Sequence, residues 1–222
     1  MSRYDRLLEL STFSKDKLEL LHGKNVLIIG VGGVGQHVIT YLATNGIKKF
    51  TIVDFDKVEL SNLNRQILLT EKDVGKDKVD VVKSAVLAKN LEVEIHVLKA
   101  KLTNENIGVL TTNFDVVIDA VDNWEAKLLI AKYAKKNNIP MLHVGVDGIG
   151  GQFALFRNKS LLDIVDDSVL TEKRDGVMGP MVGVLSSMGS LHLLRYLSGE
   201  DVETDILYSF DQNSNQITKV KI

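Results

Sequence analysis

The apolar run Val26-Leu27-Ile28-Ile29 breaks directly into Gly30-Val31-Gly32-Gly33-Val34-Gly35, and few features restrict a fold as tightly. A short β-rich run, then glycines, then a helical pattern over 34–45 describes a strand that turns sharply into a helix. The glycines let backbone N–H groups come close to a ligand, while the first turn of the helix presents unpaired donors and the positive end of its dipole. Such a turn suits a phosphate. It does not say which nucleotide, because many nucleotide- and dinucleotide-binding chains share it.

Further β-rich runs lie at 50–54, 94–98, 116–119 and 141–144, with helical patterns at 76–89, 104–110 and 123–137 between and after them. Each parallel neighbour needs a crossover of helix length, so this alternation predicts an α/β fold: a mainly parallel sheet with helices on both faces. The pattern changes after Gly145. Runs at 152–157, 206–210 and 216–220 leave little room for crossovers and read as antiparallel strands added in the C-terminal third. Ser14 is expected to cap a short helix with a left-handed stop at Gly23, and Pro180 suits the first turn of a later helix. Asp163, Asp166, Asp167 and Glu172 mark 159–174 as an exposed loop. With 222 residues the chain is expected to be one domain, 1–222, with an N-terminal arm over 1–13 and a crossover loop at about 158–178.

Composition removes several classes of function. A charge of −2 gives no general attraction to nucleic acid or to an anionic membrane. The absence of cysteine removes disulfides, thiolate zinc sites and thiol nucleophiles together. The first residues lack the apolar core of a signal peptide, so a cytoplasmic protein is expected. The uncharged stretch 176–194 is interrupted by glycines and Pro180 and reads as a buried helix, not a membrane span.

Chemistry gathers at the strand ends. Asp54 closes the second strand, where an acidic side chain meets a ribose hydroxyl. Asn62, Asn64, Arg65 and Gln66 follow it, Lys78 heads the next helix, and Asp119-Ala120-Val121-Asp122-Asn123 closes a later strand. Hydride transfer has little use for several cations beside the first phosphate. Attack on the α-phosphorus of ATP does, because charge must be spread over phosphate oxygens while pyrophosphate departs. Arg65 and Lys78 suit the phosphates, and Asp122 suits Mg²⁺, which prefers one or two carboxylates plus phosphate oxygens.

Taken singly, each residue also has a plainer reading. Arg65 and Lys78 read as surface charges, Asp54 as a turn former, Asp122 as the cap of a helix starting near Asn123, and Arg3 and Arg6 as part of a frayed arm. His37, His143 and His192 read as buried packing residues without metal spacing. Met178, Met181 and Met188 read as core, and Trp124 as either a wall of the site or an anchor.

In chain order, Arg3-Tyr4-Asp5-Arg6, the glycine turn, Val53-Asp54-Phe55-Asp56, Ser61-Asn62-Leu63-Asn64-Arg65-Gln66, Gly75-Lys76-Asp77-Lys78, Asp119 to Asn123, Gly151-Gln152 and Gly176-Val177-Met178-Gly179-Pro180 resemble the ThiF/MoeB/HesA family, bacterial relatives of ubiquitin-activating enzymes. The resemblance implies a Rossmann-like sheet and an adenylyltransferase. Such enzymes use MgATP to activate the C-terminal glycine of a small ubiquitin-like sulfur carrier of the ThiS or MoaD type, ending in Gly-Gly, and release pyrophosphate. It implies that Gly30, Gly32, Gly33 and Gly35 pack on the nucleotide, that Asp54 binds ribose, and that Asn62 and Arg65 contact phosphates. Asp56 and Gln66 join the same nucleotide-binding set. Lys78 would stabilise the α-phosphate and Asp122 would hold Mg²⁺. Arg6 matches an arginine lent to the partner subunit's ATP, which implies a homodimer.

The chain departs from that pattern in one respect. Many members carry two Cys-x-x-Cys pairs for structural zinc, and some a crossover-loop cysteine; residues 160–163 stand where the first pair is expected, and no cysteine is present. No zinc is expected, and the chemistry is expected to stop at the acyl adenylate. The rival readings are activation of a different acyl group, such as a peptide C-terminus or a tRNA nucleoside, an NAD(P)-dependent oxidoreductase, and a binding scaffold without turnover.

Overall fold

One sheet of eight strands organises the chain: β1 (Asn25–Ile29), β2 (Lys49–Val53), β3 (Glu94–Leu98), β4 (Val116–Asp119), β5 (Met141–Asp147), β6 (Gly150–Phe156), β7 (Ile206–Asp211) and β8 (Gln216–Lys221). Their spatial order is β3-β2-β1-β4-β5-β6-β7-β8. The first five pair in parallel, and β6, β7 and β8 are added antiparallel, as the change of pattern after Gly145 predicts. This computed structural model describes residues 2–110, 113–165 and 176–222.

The helices are α1 (Asp5–Leu8), α2 (Lys15–His22), α3 (Gly33–Thr44), α4 (Lys78–Lys89), α5 (Trp124–Asn137) and α6 (Gly179–Leu197). Side chains alternate across a strand. Val26 and Ile28 of β1 therefore join α3, α4 and α6 in one buried cluster, while Leu27 and Ile29 join α5 in another. Coverage of both faces explains why β1 and β4 read as unbroken apolar runs. β8 forms one edge of the sheet and is exposed at every position, with Lys219 and Lys221 along it. Lysines on a bare edge discourage pairing with other chains.

Local signals mostly act as their chemistry dictates. The Ser14 hydroxyl accepts from Lys17 N at 3.3 Å and caps α2, and Pro180 sits in the first turn of α6. Several expectations need correction. Gly23 ends α2 with φ −76°, a right-handed conformation, so this stop needs no glycine. The pattern at 104–110 yields only a single 3-10 turn, Ile107–Val109; Ile107 and Leu110 pack on the core, but Asn104, Glu105, Asn106, Gly108 and Val109 are exposed and leave no apolar stripe on which a helix could extend. Met178 is exposed, whereas Met181 is buried and Met188 packs against the core. His192 is half-buried, not buried. Of the expected crossover loop, residues 166–175 lie outside the described residues. Before them, Leu161–Asp163 forms a 3-10 turn whose start and end bond reciprocally through Ser160 and Asp163. Among the described residues no helix is long and apolar enough to cross a membrane.

Candidate active site

The strand order reverses at β1: the chain runs outward through β2 and β3, then returns to place β4 on the other side. Open α/β sheets bind ligands at the carboxyl ends beside such a reversal. Gly30 follows β1 there with φ +90°, and a side chain would meet the Ala120 carbonyl oxygen at 2.6 Å. At Gly35 a Cβ would collide with the Gly30 carbonyl oxygen, and at Gly33 it would press on Val182 at 3.0 Å and Arg65 at 3.4 Å. Gly32 differs. It is the N-cap of α3, and its nearest neighbour would be Gln66 Nε2 at 3.8 Å. The protein's own packing does not require a glycine at that point, and the space left lies at the helix N-terminus, where a phosphate fits.

Asp54 braces this turn. Its carboxylate accepts from Val31 N at 2.8 Å and from Asp56 N at 2.9 Å. Burial raises its pKa, and the two backbone hydrogen bonds offset part of that rise. Lys78 opens α4 with its side chain 8% exposed, and its ammonium donates to Asp56 Oδ2 at 2.7 Å. Lys78 is thus a nearly buried cation held at the site, not a solvated surface charge. Asn62 is also buried; its Oδ1 accepts from Glu59 N at 3.1 Å and closes a capping box. Gln66 is buried against Gln36, whose Nε2 bonds both Gln66 Oε1 at 3.1 Å and Val31 O at 2.9 Å. Arg65 lays its stem on Gly33 while Nη1 donates to Ser61 O at 3.0 Å and Asn64 Oδ1 at 2.9 Å. Contacts therefore link the glycine turn, Asp54, Asp56, Lys78, Gln66 and Arg65.

Asp122 is exposed just beyond β4, on the segment whose Ala120 carbonyl backs Gly30. The helix cap is its neighbour: Asn123 Oδ1 accepts from Ala126 N at 2.9 Å. Asp122 makes no cap bond; its Oδ1 accepts a long hydrogen bond from Asn123 Nδ2 at 3.4 Å, and the exposed carboxylate faces solvent. Among the described residues no group of three or more His, Cys, Asp or Glu could hold a metal by itself. A lone carboxylate of this kind fits a Mg²⁺ that arrives on phosphate oxygens. Trp124 begins α5 beside it, half-buried.

Among the described residues Arg6 forms no hydrogen bond or ion pair with this cluster. Its side chain is 91% exposed and pairs with Glu9 at 2.8 Å. The arm that carries it is packed, not frayed: Tyr4 is buried with its ring 5.4 Å from that of His22, and Arg3 donates to Lys89 O at 2.9 Å.

One group of residues escaped the sequence reading. Asp119 is fully buried at the end of β4, and Lys127 of α5 reaches both its oxygens, at 3.1 and 3.0 Å. His143 Nδ1 lies 2.6 Å from Asp119 Oδ2, so His143 is a hydrogen-bonding partner and not the packing residue expected. Gln152 Nε2 lies 3.5 Å from the other ring nitrogen. Burial alone would raise the Asp119 pKa, but the Lys127 charge and the His143 hydrogen bond hold it below the usual carboxylate range. A signal for Lys127 exists: with Ile130, Ala131 and Ala134 it falls on the buried stripe of α5, and a lysine on such a stripe needs an anion. His37, by contrast, does pack between α3 and α6, its Nδ1 2.8 Å from Gly33 O. A cavity of about 260 Å³ lined by Lys135, Met141, Phe156 and Arg157 lies at the amino end of β5, the opposite end of the strands from this chemistry.

A glycine turn at the strand-order reversal, with cations and an acidic strand tip gathered around it, defines a nucleotide-binding α/β enzyme. The chain belongs to the ThiF family, which it matches over residues 4–222. It is 31% identical to the sulfur carrier protein ThiS adenylyltransferase of Escherichia coli K12, over 96% of this chain and 88% of that protein. It is also 31% identical to the molybdopterin-synthase adenylyltransferase of the same organism, over 90% and 83%. The class of enzyme is therefore adenylyltransferase. The fold is shared with Escherichia coli MccB bound to MccA-N7isoASN, at a TM-score of 0.90 and 22% identity, covering 100% of this chain and 72% of that one. PaaA shares it at a TM-score of 0.82 and 24% identity, covering 99% and 72%.

Proposed function

We propose that this protein is an ATP-dependent adenylyltransferase that converts the C-terminal carboxylate of a small ubiquitin-like sulfur carrier, ending in Gly-Gly, into an acyl adenylate. The observation that carries the reading is the continuous set of contacts joining the Gly30–Gly35 turn to Asp54, Asp56, Lys78 and Arg65, in a chain similar over nearly its full length to a ThiS adenylyltransferase. A carboxylate is a poor electrophile, and AMP gives it a good leaving group. Phosphate oxygens take the open space at Gly32 and the N–H groups of α3. Asp54 meets the ribose, Asn62 and Gln66 support the phosphate side, and Arg65 and Lys78 spread the charge that develops as pyrophosphate leaves. Lys78 exchanges Asp56 for a phosphate oxygen at that stage. Asp122 holds Mg²⁺, whose charge offsets that of the phosphates.

Arg6, exposed and paired with Glu9 on a packed arm, is assigned to the partner's site in a homodimer. With no cysteine in the chain, zinc is not part of the fold, and the product handed on is the adenylate itself. Residues 1–222 act as one adenylation domain, and the reaction is placed in the cytoplasm, in thiamine, molybdopterin or a related sulfur-transfer pathway. The test mixes it with a Gly-Gly-ended carrier and MgATP. A mass gain of one adenylyl group on the carrier is expected, and Arg65→Ala or Lys78→Ala lowers carrier-dependent ATP–pyrophosphate exchange by about 100-fold or more. Unchanged exchange in both variants refutes the assignment. Binding of NAD in place of MgATP in a calorimeter would favour an oxidoreductase.

A further inference from the structure

The buried Lys127–Asp119 pair is not needed for the chemistry just described, and burial makes it a poor source of stability. Removing two charges from water costs several kcal/mol, and an apolar pair of similar volume often serves as well. Its geometry suggests a different role. Asp119 Oδ1, besides meeting Lys127, lies 3.4 Å from Val121 N. Lys127 stands in the first turn of α5, the helix whose cap is Asn123. The segment 120–123 is therefore fastened at its start to the end of β4 and at its close to α5, and Lys127 ties those two anchors together. His143 supports the same carboxylate from β5. Asp122 lies inside the fastened segment.

We propose that Lys127 is a positioning residue, which through Asp119 fixes the 120–123 segment so that Asp122 presents its carboxylate to the metal on ATP. The inference rests on the adenylation reading, in which Asp122 holds Mg²⁺. Partners that orient a metal-ligating carboxylate change metal affinity by about 10- to 100-fold when lost.

The test measures ATP binding to the full chain by calorimetry, once with Mg²⁺ and once with EDTA. In the wild-type chain Mg²⁺ tightens binding. Asp119→Asn combined with Lys127→Met leaves no member of the ion pair charged and unmatched; it reduces that gain about tenfold or more while affinity for metal-free ATP stays the same. Lys127→Arg keeps a cation within reach of both oxygens and retains the gain. His143→Gln, which leaves the ion pair in place, is the milder second variant and shifts the gain in the same direction. A full Mg²⁺ gain in the folded double variant or in His143→Gln overturns the proposal. So does an equal loss of metal-free and Mg²⁺-dependent affinity, the mark of a merely structural role. A wild-type chain that binds ATP without any Mg²⁺ gain also overturns it but leaves nucleotide binding standing, whereas no ATP binding at all overturns the adenylation reading itself.

Discussion

Two glycines of one turn should respond in opposite ways to the same substitution. Gly32 has φ −75° and ψ −151°, in the extended region, and its added methyl would find only ordinary contact with Gln66 Nε2 at 3.8 Å. Gly32→Ala gains about 0.4–1 kcal/mol by restricting the unfolded chain. It gives back a similar amount, because alanine is a poorer N-cap than glycine. Net stability should move by less than about 0.5 kcal/mol, or roughly 2 °C in Tm for a chain of this size. Gly35→Ala instead drives a methyl into the Gly30 carbonyl oxygen. Backbone must shift, at a cost of about 1–3 kcal/mol, which lowers Tm by about 2–12 °C. Binding should separate the two variants again. A methyl on Gly32 fills the space at the N-terminus of α3 and should weaken MgATP by at least about tenfold, or 1.4 kcal/mol, in a chain that melts normally. Thermal melts and calorimetry on the same samples read both quantities. A Gly32→Ala chain that binds MgATP like the wild type would refute the placement of phosphate at this turn.

Two further outcomes test the scaffold. Burial holds the His192 imidazole below its ordinary value of 6.5, and its Nε2 donates to Glu203 O at 2.7 Å. The unfolded chain therefore binds the proton first as pH falls, so stability drops through 6.5 towards the depressed folded value. His192→Gln should flatten denaturation midpoints measured between about pH 7 and 5, and an unaltered pH slope would contradict this. Asp205 stands at φ 61° and accepts from the backbone N of Arg157, Asn158 and Lys159 at 2.8, 3.1 and 3.1 Å. Asp205→Ala should cost about 2 kcal/mol, from lost charge-assisted bonds and a left-handed backbone that alanine resists. Asp205→Asn should lose less, and equal melting temperatures for all three chains would rule out the clamp.

The parallel half was legible because a strand buried on both faces must be apolar throughout and its crossovers must be helical. Gly30 and Gly35 were legible for a related reason, since backbone contacts at those positions admit no side chain. What escaped depends on three-dimensional partners. The 104–110 segment has helical spacing but packs only Ile107 and Leu110 on the core, so only Ile107–Val109 turns. Asp122 and Asn123 are both good caps, and only geometry assigns the role to Asn123. His143 lies between apolar neighbours in sequence, yet its register opposite Asp119 makes it half of a hydrogen-bonded pair. Lys127 sits among other lysines of α5, and its place on the buried stripe, not its residue type, betrays it.

The sheet divides its labour along its width. Apart from Arg6 on the N-terminal arm, every side chain proposed for ATP comes from the parallel portion or the loops after it, while β6, β7 and β8 carry none of them. A lineage could therefore exchange or extend the antiparallel strands while the residues proposed to handle phosphate stayed untouched. Grafts that swap only residues beyond Gly150 would alter that half of the sheet without touching the glycine turn.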